Sequence, residues 1–215
     1  MDGYATTTEP KVVNGINVDD LFALIEGIRQ DPAKGASRWH VATSWQGQTR
    51  SRSQVEGFGI GSEEVARRFT IDIDEPRELG GSNRFANPQE YLTAALNACV
   101  TVGYVAQCAV HGIVLESLVI ETEGEIDLRG FLGIDPAVPN GFESLRYTVR
   151  IKGNGTKEQF AEIHKAVMAM VSIEGENRRQ VTVCLVEEVE SGDWGIGGKA
   201  MTTADVHALA RGKAV

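Results

Sequence analysis

Cys99, Cys108 and Cys184 are the residues whose type could carry nucleophilic chemistry in this chain. A cysteine reacts as its thiolate, and a thiolate at neutral pH needs a cation, a metal or a helix N-terminus beside it. Cys99 stands among Ala95, Leu96, Ala98 and Val100, in a segment that reads as the middle of a helix. The helix dipole fades within the first turn, so it does little for a thiol placed there. Taken alone, Cys99 is a small buried hydrophobe, as most free cysteines are. Taken as a reactive thiol, it requires a cation brought from elsewhere in the fold. Three cysteines at wide spacings make no disulfide framework, and they fit a reducing, cytoplasmic compartment. There is no CxxC pair, and His40, His111, His164 and His207 are scattered. No metal or other cofactor is therefore expected.

The elements that would position Cys99 follow from pattern. Asn17 or Asp19 caps a short amphipathic helix over residues 17–30, which Asp31-Pro32 stops. The first thirteen residues read as loose and polar. Residues 38–75 read as three strands of an antiparallel meander, the last of them alternating with Phe69, Ile71 and Ile73 on one face. A turn-rich loop with Pro76 and Gly80-Gly81 leads to a long helix. Asn87 is its N-cap, Pro88 its first residue and Glu90 the partner of a capping box, and Gly112 ends it. Two strands, at 115–126 and 145–152, flank a turn-rich connection. A second helix over 156–171 opens on a Thr156/Gln159 capping box. Residues 181–186 make the last strand, and a Gly-rich tail ends in a short helix at 203–211. Strands and helices are segregated, which predicts an α+β fold.

A chain of 215 residues can bury a full core as one domain. The formal net charge of −9 argues against nucleic acid or an anionic membrane as partner. Arg67-Arg68 and Arg178-Arg179 are short basic pairs of the kind found on solvated surface. The longest apolar stretch, Leu92 to Val110, is interrupted by Asn97, Thr101, Tyr104 and Gln107 and reads as a buried helix. No signal peptide is evident at the N-terminus.

The run from Leu79-Gly80-Gly81 through Asn87-Pro88-Gln89-Glu90-Tyr91-Leu92 to Ala98-Cys99 resembles the signature of the OsmC/Ohr family, with Cys99 eleven residues after Pro88. His111-Gly112-Ile113, Glu123-Gly124-Glu125 and Gly141-Phe142-Glu143-Ser144-Leu145 resemble the family's second half. The resemblance covers about residues 38–188, leaving the N-terminal helix (about 17–30) and a C-terminal extension (about 190–215) outside the core of one OsmC-like domain. It implies an intertwined homodimer with antiparallel sheets packed on two long central helices. It also implies thiol-dependent reduction of organic hydroperoxides. There, a first cysteine attacks the peroxide, an arginine held by a carboxylate lowers its pKa, a second cysteine captures the sulfenic acid, and an external thiol reduces the product.

Carried onto this sequence, the first cysteine is Cys99. The arginine follows a Trp/Gly-containing segment, here Trp45-Gln46-Gly47-Gln48-Thr49-Arg50-Ser51-Arg52, which makes Arg50 the first candidate and Arg52 the second. Two residues apart in a strand, they would share a face; otherwise they are exposed strand charges. Two positions depart from the family. The second cysteine falls at Val171, and the carboxylate falls at Gln89, which can hydrogen-bond an arginine but carries no charge. Glu90 lies roughly on the opposite helix face from Cys99. Cys108, about 13.5 Å further along the same helix, is too far for a disulfide with Cys99 within one chain. Three readings result. One is a one-cysteine hydroperoxide reductase using an outside thiol. Another is a catalytically degenerate scaffold binding a small apolar ligand at the dimer interface. The third is a different enzyme on the same scaffold.

Overall fold

The computed structural model describes residues 11–170, 183–187, 193–196 and 199–201. They cluster into two compact units. One holds Asn17–Ala94, and the other holds Val12–Ile16 together with the chain from Ala95 onward.

The chain enters through a two-stranded ribbon, β1 (Val12–Val13), at the end of the stretch that read as loose, and β2 (Ile16–Asn17). Its turn is Asn14-Gly15, with φ of 53° and 79°. Two positive φ values in succession are what a tight hairpin turn requires, and Asn-Gly supplies them at least cost. Asn17 then caps α1 (Val18–Gln30), its side chain accepting from the Asp19 and Asp20 amides.

The meander forms as its alternation predicts. Strands β3 (Ser37–Trp45), β4 (Ser51–Ile60) and β5 (Glu63–Ile73) pair antiparallel in that order. On one face Arg67 lies over the rings of Trp39, Phe58 and Phe69, with Trp39 and Phe58 stacked at 5.2 Å. Phe69 is thus exposed rather than core, while Ile71 and Ile73 are half-buried.

Helix α2 (Pro88–Val110) opens on the expected reciprocal cap, Glu90 N–H to Asn87 Oδ1 at 2.8 Å and Asn87 N–H to Glu90 Oε2 at 2.7 Å. It ends where Gly112 turns left-handed (φ 70°), with the Ile113 amide reaching back to the Cys108 carbonyl at 2.8 Å. By length and composition α2 could cross a membrane. Instead one row of it, Leu96, Val100, Tyr104 and Cys108, repeats every four residues and is buried in the second unit's core.

That core is closed by strands β6 (Leu115–Gly124) and β7 (Leu145–Gly153), with the short α3 (Leu128–Phe131) between them, and by α4 (Lys157–Met170). Tyr147, Val149 and Ile151 of β7 meet Phe160, Ile163 and Val167 of α4 and the buried row of α2. Gly103 permits the approach, because a Cβ there would stand 3.0 Å from Val167 Cγ1. Strands β8 (Val183–Glu187), β9 (Asp193–Ile196) and β10 (Lys199–Met201) complete a five-stranded sheet in the order β10-β9-β8-β7-β6.

The fold is α+β with antiparallel sheets, with one exception. Strands β7 and β8 run parallel, because α4 carries the chain back across the sheet between them. Two strands lie in the tail that read only as Gly-rich. The helix expected at 203–211 lies outside the described residues.

Candidate functional site

The matched signature begins in a loop whose shape is set by one carboxylate. Asp74, just past the end of β5, is fully buried. Its oxygens accept from Thr49 Oγ1 (2.9 Å), the Glu75 amide (2.9 Å), the Ser82 amide (3.2 Å) and hydroxyl (2.6 Å), and the Arg84 amide (3.1 Å). The Ser82 hydroxyl first, and the other donors with it, hold the Asp74 carboxyl far below the usual carboxylate range against the opposing effect of burial. The two glycines that precede Ser82 have separate reasons. Gly80 is left-handed (φ 82°), and a Cβ on Gly81 would fall 1.7 Å from the Glu75 carbonyl oxygen. No larger residue fits so close a backbone approach.

Arg50 belongs to the β3–β4 turn and precedes β4 rather than lying in it. Its amide bonds the Gly47 carbonyl at 3.1 Å, and its carbonyl accepts from the Gln46 amide at 2.8 Å. Gly47 lies beside the guanidinium, since a Cβ there would come 3.5 Å from Nη2. Arg50 Nε is buried and has no hydrogen-bond partner among the described residues. Arg52 differs. It sits in the ladder directly across from Asp72 and forms a two-pronged ion pair with it, Nε to Oδ1 at 2.7 Å and Nη2 to Oδ2 at 3.2 Å. The two arginines therefore do not stand in equivalent strand positions.

Gln89, in the first turn of α2, is half-buried, and its Oε1 also lacks a hydrogen-bond partner among the described residues. Glu90 is exposed, its carboxylate engaged in the helix cap. Glu75 was missed by sequence reasoning. Its carboxyl is pushed up by burial, pulled back by the Asn87 side chain, and raised further by the charges of Asp74 and Glu90.

Cys99 is half-buried and packs against the apolar core of the second unit. Cys108, nine residues on, is fully buried, and that burial pushes its thiol up to about 11. It is a protonated core residue rather than a nucleophile. Cys184 lies in β8, in register with Tyr147. Val171, where a second cysteine would stand, lies outside the described residues.

One further polar pair sits in that core. The Tyr104 hydroxyl and His164 Nδ1 are 2.6 Å apart, and burial pushes His164 down to about 4. Among the described residues no group of three or more His, Cys, Asp or Glu is placed to hold a metal ion.

Asp74 and Glu75 escaped sequence reasoning for a specific reason. Strict alternation along β5 puts Asp74 on the same face as the partly exposed Asp72, and only the return of residues 82–84 buries it. The one signal was composition: an acid closing a strand, then paired glycines and a serine.

Residues 81–175 match the family model described as OsmC-like protein. No curated protein sequence matches the chain. Among solved structures, an OsmC-like protein from Mycoplasma pneumoniae superposes with a TM-score of 0.52 at 12% identity, over 71% of this chain and 96% of that one. An OsmC-like protein of unknown function from Vibrio cholerae gives 0.51 at 13% identity, over 72% and 100%. The matched segment takes in the Gly81 turn, α2 with Cys99, the β6–β7 pair and α4, and the fold is that of OsmC-like structures: in that segment and in its fold, the chain is similar to OsmC-like proteins.

Proposed function

We propose that the chain is a one-cysteine, thiol-dependent reductase of organic hydroperoxides, acting through Cys99 in a stress-response role. The observation that carries this reading is the placement of Cys99. It is half-buried, eleven residues beyond the helix-opening Pro88, and lies inside the segment that matches the family model. Of the two arginines that the family resemblance offers for this chemistry we favour Arg50, since its Nε is buried without a partner among the described residues while Arg52 is engaged with Asp72. Gln89 stands where the resemblance expects a carboxylate and brings no charge.

In this reading the Cys99 thiolate attacks the outer peroxide oxygen and the O–O bond breaks. The alkoxide leaves as the alcohol after taking a proton, and the sulfur becomes a sulfenic acid. An external thiol displaces water from it to give a mixed disulfide, and a second thiol restores Cys99. The burial of Cys108 supports an outside thiol, because a fully buried, protonated thiol is poorly placed to resolve a sulfenic acid. The whole chain acts as one domain in a homodimer, in a reducing, cytoplasmic setting.

The test is mass spectrometry after brief exposure to an organic hydroperoxide with a sulfenic-acid trap present. Fast trapping at Cys99, well ahead of Cys108 and Cys184, is the expected result. No preference for Cys99 would overturn the reading and leave a ligand-binding scaffold in its place.

A further inference from the structure

We propose that Asn97 is a positioning residue for Cys99, locking the turn of α2 that carries the thiol onto strand β6. The inference rests on the reading of Cys99 as the attacking thiol and adds what fixes its place. Asn97 and Thr101 are two of the polar residues that interrupt the apolar run from Leu92 to Val110, and they bracket Cys99. The Asn97 amide uses both its ends on β6: Nδ2 donates to the Ile120 carbonyl at 3.3 Å, and Oδ1 accepts from the Thr122 hydroxyl. The Asn97 main-chain carbonyl accepts from the Thr101 hydroxyl at 2.8 Å. Ile120 and Thr122 are half-buried and two residues apart, so they share one face of β6, where they pair with the buried Val149 and Tyr147 of β7. A donor and an acceptor held at separate points of one strand fit a single register of helix on strand.

The tie acts on the roll of α2 about its axis. At about 100° per residue, Asn97 and Cys99 stand on opposite flanks of the helix, with the buried row of Leu96, Val100 and Tyr104 between them. On the Cys99 flank, Gly103 follows one turn later, and its close approach to Val167 of α4 leaves no slack there. One flank of α2 is thus held by hydrogen bonds to β6 and the other by packing on α4. Rolling the helix pulls the Asn97 amide off β6 or presses the backbone at Gly103 into Val167. Cys99 sits at the edge of this packing, half-buried and against the core, where a small roll changes both its exposure and its direction. Attack on a peroxide requires the sulfur in line with the O–O bond, so its rate is sensitive to small displacements.

The experiment measures, in the full chain, the rate at which tert-butyl hydroperoxide converts Cys99 to its trapped sulfenic acid. The pH profile of iodoacetamide alkylation at the same peptide and the melting temperature are measured in parallel. Thr122→Val lies on β6 rather than on α2 and removes one bond of the tie at nearly constant shape. It is expected to slow oxidation by about tenfold, the scale of one lost hydrogen bond, while leaving the alkylation midpoint at its wild-type pH. Thr122→Ser should restore the wild-type rate, and Asn97→Ala, which removes both bonds, should slow oxidation at least as much as Thr122→Val. Ile163→Val trims the same core by a comparable free energy without touching the tie, and should lower the melting temperature while leaving the oxidation rate unchanged. Oxidation of Thr122→Val at the wild-type rate overturns the positioning role and leaves the reading of Cys99 standing. Equal slowing in Ile163→Val and Thr122→Val also overturns it, since the rate would then follow stability alone. A wild-type Cys99 that resists the hydroperoxide overturns the reading of Cys99 and this inference with it.

Discussion

At the scale of single residues, the chain separates thiols by environment. Cys99 is half-buried on α2, whereas Cys108 is sealed and held protonated. Cys99→Ser should abolish peroxide reduction, while Cys108→Ser and Cys184→Ser should each retain it; equal losses in a peroxide-consumption assay would refute Cys99 as the sole attacking thiol. His164 gives a second prediction, one of stability. Its folded pKa is lowered to about 4, so below about 6.5 the unfolded chain binds a proton that the folded chain refuses. Stability is complete above that value and falls as pH drops toward 4, by roughly 3 kcal/mol from this group. His164→Gln keeps an acceptor for Tyr104 and removes the titration. Urea midpoints between pH 7 and 4 should therefore vary less in the variant than in wild type. The spacing of Cys99 from Pro88 was legible in the sequence because a helix start and a thiol are both local facts. The arginine was legible only as a pair, since which of Arg50 and Arg52 is engaged depends on Asp72, twenty residues from Arg52 and on another strand.

At the scale of elements, the sequence is most readable where one short stretch satisfies its own backbone. Asn17, the Asn87/Glu90 box and the Thr156/Gln159 box all cap as their residue types predict. Asn87→Ala should cost about 1 kcal/mol in chemical denaturation. The loop from Glu75 to Arg84 is more demanding. Gly81→Ala has no room for its Cβ against the Glu75 carbonyl and should destabilise by at least about 2 kcal/mol, a loss visible as an earlier melt. Gly80→Ala needs only a left-handed φ and should be milder. What could not be read was pairing between distant segments. Strand β8 lies parallel to β7 because α4 packs across the sheet, and strands β9 and β10 extend it through a tail whose composition signals turns. No local period encodes either fact.

At the scale of the whole molecule, large apolar side chains are exposed on both units. On the first, Trp39, Trp45, Phe69 and Leu92 are exposed, Trp45 at 76%; on the second, Val102 is 68% exposed. Surfaces of this kind mark contact sites, in line with the proposed homodimer. Sedimentation should give twice the monomer mass, and a monomer at micromolar concentration would refute the dimer. One contact also sets an order of events. The Asn14 side chain works as a spare peptide group, donating to the Ile113 carbonyl and accepting from the Leu115 amide, each at 2.9 Å. Those partners leave the ribosome about a hundred residues later. At roughly 5–20 residues per second, the start of the chain waits on the order of 5–20 s for its docking strand to be made. The first residues described thus settle well after they are made. A ribosome stalled before residue 113 should carry an N-terminal ribbon open to protease, and one stalled well after residue 153 should not.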